Sequence, residues 1–501
     1  MDLADEFAFL DASISRIVSA IRTALENAPE GRRGLKDAPG GGNGVQTIRA
    51  RFIHVLDDVT ALLETSRAKF GDSSDATDFE RGQTLSLVRG SMPILVALQR
   101  MRYWITREGP SARVPPGVLT FFADASDGIL HRPADVLAVA SSAYRYSAVL
   151  QPLLKQVRQG EKDRAEALGE VYVEPVEDPA DVIPLVVTVP LQEASSIFLH
   201  VLAVHEIAHA AVGTSKLADE VEKRLPLTDK ESEAENKFIT SVIRAAAAGE
   251  ADTDLAQRLI AENRLESIRR QWLEELLCDA VAFAWVGPPY ILAFASFSLR
   301  WELGPSSTHP STRDRIGMLL DHSDTLNWGE FMRSELGPVH DWLTTIKDRS
   351  TGATPEPFDY LGDYIRARSE AICAVAVESL EDRVWTPDAL NLELPEIRQL
   401  LRRRILPVYA EENFDSRSVI TAGWLWRLAE PERVDDSVEE VPTKQDPTAQ
   451  APLEQDLRQF PLMRLAEAVD DIEIQNFLAK ALELSGIVSA WKKSTTVATT
   501  A

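Results

Sequence analysis

Residues 194–213 read Ala-Ser-Ser-Ile-Phe-Leu-His-Val-Leu-Ala-Val-His-Glu-Ile-Ala-His-Ala-Ala-Val-Gly. The run is too long and too apolar for a surface strand, and its spacing predicts a buried helix. Inside it lie His205, Glu206 and His209. A spacing of four places both imidazoles on one helix face, a turn apart, where they can grip a single metal ion. Glu206 then lies beside the open metal position, where it can take a proton from a metal-bound water. Ile197, Phe198, Leu199, Val201, Leu202 and Val204 flank the pattern on one side, and Ala210, Ala211 and Val212 on the other. Two His and a Glu in so apolar a helix cost several kcal/mol unless something satisfies them. A metal ion does so. The bland alternative is a core helix whose polar groups pair with neighbours.

A tetrahedral site with an open position needs a third protein ligand. Extension of the motif to a third His is excluded, because Val212 and Ser215 occupy the positions where a Gly and that His would fall. The other solution is a carboxylate on a later helix. Residues 272–283, Trp-Leu-Glu-Glu-Leu-Leu-Cys-Asp-Ala-Val-Ala-Phe, offer it. Glu275 and Asp279 share one helix face. Glu275 is the preferred metal ligand, and Asp279 can accept the free ring N–H of a ligating His and fix its tautomer. Glu274 is the competing ligand, with Cys278 as its i+4 neighbour. Cys278 reads as a small buried residue beside the site.

A third element follows at Thr308-His309-Pro310-Ser311-Thr312-Arg313-Asp314-Arg315-Ile316. His-Glu-x-x-His, a distant Glu-x-x-x-Asp and this His-Pro-Ser-Thr run, in that order, resemble the gluzincin zinc metallopeptidases of the HtpX and CAAX prenyl protease type. The resemblance covers roughly residues 180–320. It implies a zincin-like core, one Zn²⁺ per chain, and a polypeptide substrate. It also implies that His309 sits over the cleft and helps stabilise an oxyanion, and that Arg315 anchors the site by pairing with Asp279. The best-known members of that family are integral membrane proteins. This chain departs from them, and 65 residues, Ala210 to Glu274, separate the first two motifs.

Outward from the motifs, three parts are expected: a helical region over 1–165, a metallopeptidase core with a small β-sheet over 166–325, and a helical region over 326–501. The expected fold class is mainly α, of an α+β kind. Helical spacing marks 5–27, 48–69, 78–106, 133–158 and 462–492. Residues 170–174 and 183–190 are short and β-branched and read as strands. The strand over 182–189 is expected at the cleft edge, paired with an extended substrate. Residues 280–299 carry no charge, but Gly287-Pro288-Pro289 breaks them into two buried helical pieces, so no stable membrane span is expected. Residues 430–456 hold nine acidic and two basic side chains with four prolines, an acidic linker.

The chain has 501 residues, 53 Lys and Arg against 78 Asp and Glu, and a formal net charge of −25. Such a surface repels phosphate backbones, so nucleic acid is not an expected partner. Two cysteines, Cys278 and Cys373, cannot build a disulfide framework, and a reducing, cytoplasmic setting is expected. The expected function is a soluble zinc metalloendopeptidase with Glu206 as general base, regulated by the flanking helices. The rival is a sensor or adaptor built on such a core and answering to a regulatory protein partner.

Overall fold

A computed structural model describes residues 2–26, 43–71, 75–106, 114–131, 134–141, 146–148, 162, 183–191, 196–248, 265–298, 308–348, 356–403, 414–429, 475 and 478–482. The fold is mainly helical. The chain divides into two compact units rather than the three expected parts. One holds the described residues of 1–127 and 131–194, the other those of 128–130 and 195–485.

In the first unit, α1 (Leu3–Glu26), α2 (Asn43–Phe70) and α3 (Asp78–Thr106) pack on one another. Phe7, Ile14, Val18, Ile21 and Leu25 recur at helical spacing along α1. They bury against Phe52, Leu56, Val59 and Leu63 of α2 and Leu85, Val88, Leu95 and Leu98 of α3. Phe7 stacks on Phe70 with centroids 4.3 Å apart. At the start of α3, Thr77 and Glu80 cap each other reciprocally: the Thr77 N–H donates to Glu80 Oε2 at 2.8 Å and the Glu80 N–H to Thr77 Oγ1 at 3.3 Å. A fourth helix, α4 (Pro116–Leu130), follows.

Where residues of the helix expected over 133–158 are described, they form strands instead, and 149–158 lie outside the described residues. The first is the strand β1 (Ala134–Ser141), followed by β2 (Ser147–Ala148). Residues 134–141, Ala-Asp-Val-Leu-Ala-Val-Ala-Ser, fit either period, and a long-range partner decides between them. That partner is β3 (Ile183–Pro190), which pairs in parallel with β1 from Ala134↔Ile183 to Ser141↔Pro190 and antiparallel with β2 at Thr188↔Ser147. The strand over 183–190 is therefore as expected, but it is the middle strand of a three-stranded sheet, not a free edge. The sheet belongs to the first unit, so the β-sheet expected inside the metallopeptidase core is not part of the unit that carries the motifs. The readings of 170–174, of 430–456 and of most of 462–492 lie outside the described residues.

The second unit is built around α9. In chain order come α5 (Ile197–His200), α6 (Ala203–Ser215), α7 (Leu217–Arg224), α8 (Asp229–Ala247) and α9 (Leu265–Val286). Then follow α10 (Pro288–Ser298), α11 (Thr312–Thr325), α12 (Trp328–Asp348), α13 (Glu356–Arg366), α14 (Ser369–Leu380), α15 (Pro387–Arg402) and α16 (Ser416–Ala429). Residues 276–286 of α9 are buried on every face, which marks a central helix rather than an amphipathic one. It packs on α6, α7, α10, α11 and α14. The expected break at Gly287 is there: φ is +71°, and a Cβ would come within 2.9 Å of the Trp385 ring, so glycine alone fits. Pro288 and Pro289 then open α10 where missing N–H donors cost little. Among the described residues no single helix is long and apolar enough to cross a membrane.

The charged insertion after His209 is tied down by Arg368, between α13 and α14. The buried guanidinium donates to Glu231 at 2.7 Å and to the Leu225 and Pro226 carbonyls at 3.2 and 3.3 Å, and lies 3.8 Å from the Tyr364 ring centroid. Glu231 also caps α8 reciprocally with Thr228. The Arg368 hydrogen bond outweighs partial burial and the Thr228 donors add to it, bringing the Glu231 pKa down to about 2. A depressed carboxyl pKa stabilises the fold above the unfolded-state value and loses that contribution as pH falls through the folded one. Glu231→Gln should therefore flatten the acid limb of the stability curve between about pH 4.5 and 2, by on the order of 2–3 kcal/mol in urea unfolding. An unchanged limb would remove this pair from the acid response.

Candidate metal centre

Three sequence elements, at α6, α9 and α11, converge at one point, joined there by α10. The first is α6. The chain enters it through tight turns: the Val204 N–H donates to the Val201 carbonyl at 3.1 Å and His205 N–H to Leu202 at 3.2 Å, both i to i−3. Regular α-helix then carries His205 and His209, whose ring centroids lie 4.8 Å apart with perpendicular planes. Lys216, at φ 53° and ψ 38°, ends the helix in a left-handed residue and turns the chain into α7.

The second element, on α9, brings up Glu275 and Asp279. Glu275 Oε2 lies 3.3 Å from His205 Nε2, and Oε1 lies 3.5 Å from His209 Nε2. One ligand atom from each of His205, His209 and Glu275 falls within 4.8 Å of the others, a group that could hold a metal ion. Glu274 turns the other way and pairs with Arg270 at 3.2 Å. The helix face thus turns Glu275, and not Glu274, toward the two histidines. Cys278 is fully buried, with Sγ 3.2 Å from His209 Nδ1.

Asp279 is fully buried and saturated with donors. Arg315, in the first turn of α11, donates from Nε to Oδ2 at 2.7 Å and from Nη2 to Oδ1 at 2.6 Å. His205 Nδ1 lies 2.9 Å from Oδ1. The Tyr290 hydroxyl, from α10, donates to Oδ1 at 2.5 Å and lies 3.2 Å from His205 Nδ1. The Arg315 guanidinium rests on the Phe294 ring, 4.5 Å from its centroid. The third element is fixed by Ser311, which caps α11 by accepting from the Asp314 N–H at 3.1 Å. Just before that cap, His309 Nε2 comes within 3.5 Å of Glu275 Oε1, and its Nδ1 lies 2.7 Å from the Thr308 hydroxyl. His309 is half exposed, unlike the other members.

His205, His209, Glu275, Asp279, His309 and Arg315 are therefore brought together, and Glu206 is half-buried on α6, next in sequence to His205. His200 and His322 are buried, His322 with Nε2 3.2 Å from the Ala280 carbonyl. The sequence reading gave no role to Tyr290 or Phe294. The available signal was a tyrosine inside an uncharged, buried segment, since a buried phenol needs a hydrogen-bond partner.

Burial and charge set the protonation of the cluster. Burial opposes charge on His205, but the Asp279 and Glu275 carboxylates outweigh it and raise its pKa to about 10. Burial and the neighbouring His205 lower His209 to about 4. Burial opposes ionisation of Glu275, yet His205 and Arg315 bring it down to about 2. Asp279 is held well below the carboxylate range against its own burial, first by Arg315 and then by His205.

The donor set fits a divalent metal. Glu275 Oε2 is buried and accepts no hydrogen bond of normal geometry. Both Nδ1 atoms face partners behind them, which turns both Nε2 atoms toward Glu275. Two imidazoles and a carboxylate are a borderline-soft set of the kind zinc takes, and three protein ligands leave the fourth position of a tetrahedral ion to another group. No family model, curated protein or solved structure matches this chain.

A cation at His205 Nε2 must displace the proton that faces Glu275 there. Zinc uptake at neutral pH should therefore release about one proton per ion, because His209 is already neutral and Glu275 already ionised. Titration calorimetry in buffers of different ionisation enthalpy measures this. Uptake without proton release would contradict the charge state assigned to His205.

Proposed function

We propose that this chain is a zinc-dependent metalloendopeptidase of gluzincin type, with a zincin-like helix pair α6 and α9 at its centre. One observation carries the reading. The three ligand atoms of His205, His209 and Glu275 lie within 4.8 Å of one another, and Asp279 and Arg315 stand behind them. The resemblance of the three motifs to the HtpX and CAAX prenyl protease type supports the same conclusion.

His205, His209 and Glu275 would hold the ion. Bound there, zinc supplies a Lewis acid for the scissile carbonyl and acidifies water. Glu206 takes the proton of the attacking water and delivers it to the leaving amine. His309 faces the same carboxylate from the opposite motif. Burial keeps its pKa below the ordinary histidine value, so the ring is neutral at pH 7. With the Thr308 hydroxyl donating to Nδ1, the His309 proton sits on Nε2, which can then donate to the developing oxyanion. Asp279 holds His205 in one orientation and is itself held by Arg315. An extended polypeptide is the substrate class. The flanking helices are read as regulatory.

Metal content and hydrolysis of an unfolded polypeptide test the proposal together. Wild type should carry about one zinc, and Glu275→Ala clearly less. Glu206→Gln should keep the metal and lose about 10²–10⁴-fold in kcat, the range for removing a general base. Full turnover in Glu206→Gln would sink the general-base role. Zinc held by a wild type that cleaves nothing would favour the sensor or adaptor reading instead.

A further inference from the structure

Tyr290 is the one polar side chain in the cluster that none of the three motifs contains. It sits fully buried on α10, a helix whose other described residues are almost all apolar and buried. Its position is therefore costly unless the hydroxyl is used. The hydroxyl touches two groups. It donates to Asp279 Oδ1 at 2.5 Å and lies 3.2 Å from His205 Nδ1, the nitrogen turned away from Glu275.

The chemistry of these contacts is asymmetric. Asp279 Oδ1 receives Tyr290, Arg315 Nη2 and His205 Nδ1, whereas Oδ2 receives Arg315 Nε. The Tyr290 hydrogen is committed to the carboxylate, so its oxygen lone pairs face the His205 Nδ1–H. That N–H is thus shared between a carboxylate and a phenol oxygen. Both acceptors require the proton on Nδ1 and leave Nε2 as the lone-pair nitrogen toward a metal ion. Phe294, one turn further along α10, holds the Arg315 guanidinium against its face. The helix after the Gly287 turn therefore reaches both partners of Asp279, Tyr290 by its hydroxyl and Phe294 by its ring.

We propose that Tyr290 is a positioning residue of the metal centre, its hydroxyl fixing the Asp279 carboxylate and the His205 tautomer so that His205 Nε2 is presented to the ion. This rests on the reading of His205, His209 and Glu275 as a metal site. The residue touches neither substrate nor metal in this role and acts through His205 and Asp279. His209 has a thiol, Cys278 Sγ, at its own Nδ1 and no such cage. The two histidines of the motif are supported unequally.

Tyr290→Phe removes one oxygen and keeps the ring that fills the site. Zinc affinity of the full-length wild type and variant, measured with zinc chloride against a chromophoric chelator at pH 7.5, should differ by about tenfold. That is the lower end of the cost of removing an outer partner of a ligand. The rise in unfolding midpoint on adding a fixed excess of zinc separates this from a general loss of stability. The rise reports only affinity for the folded site. It should shrink in Tyr290→Phe even if the metal-free variant melts lower. An equal rise and equal affinity in the two proteins would overturn the positioning role and leave the metal site standing. A wild type that binds no zinc would overturn both.

Discussion

One buried carboxylate organises the second unit. Asp279 lies on the central helix α9 with no exposure, and an unpaired charge there would be untenable. Arg315 of α11, Tyr290 of α10 and His205 of α6 converge on it, so a single side chain ties four helices together. Breaking a buried pair of this kind by removing one partner costs about 3–5 kcal/mol, because the other charge stays behind. Burying the pair stabilises little by itself. Its consequence is geometric: the helices dock so that Asp279 meets Arg315, Tyr290 and His205 together, and that arrangement brings His205 to Glu275.

The same constraint makes the two histidines of one motif unlike each other. His205 stands between two carboxylates, so its pKa is driven up. His209, a turn away and less deeply buried, has its pKa driven down by its own burial and by the charged His205 beside it. Helix periodicity puts them on one face, but the surroundings of that face set their basicity. Arg315 also faces Glu275, with Nη2 3.8 Å from Oε2, which adds to the pull that keeps this carboxylate ionised.

The helices around this cluster are deeply buried and cross-tied. The central helix is apolar on all sides over 276–286, interrupted only by Asp279. The long insertion between the first two motifs is not left loose in its first part. Arg368 clamps the Leu225 and Pro226 carbonyls and Glu231, holding the start of α8 against the helices that follow the site. The described helices α12 to α16, within the 326–501 stretch expected as a separate region, supply this support and belong to the same unit.

Local spacing alone determined much of the site. His205, Glu206 and His209 on one helix, Glu275 and Asp279 on another, and the break at Gly287 follow from i, i+4 periodicity and from the backbone rules for glycine and proline, which need no knowledge of neighbours. The approach of His309 and Arg315 was expected only through the resemblance, because nothing in one chain's spacing says which loop reaches a cleft. Tertiary structure alone decided the rest. It chose Glu275 over Glu274 by the face α9 turns toward α6. It gave Tyr290 and Cys278 their partners from helices distant in sequence. It made residues 134–141 a strand, against their helical reading, because β3 offered a backbone to pair with. Periodicity specifies which side chains share a face, whereas burial and long-range pairing specify what that face meets.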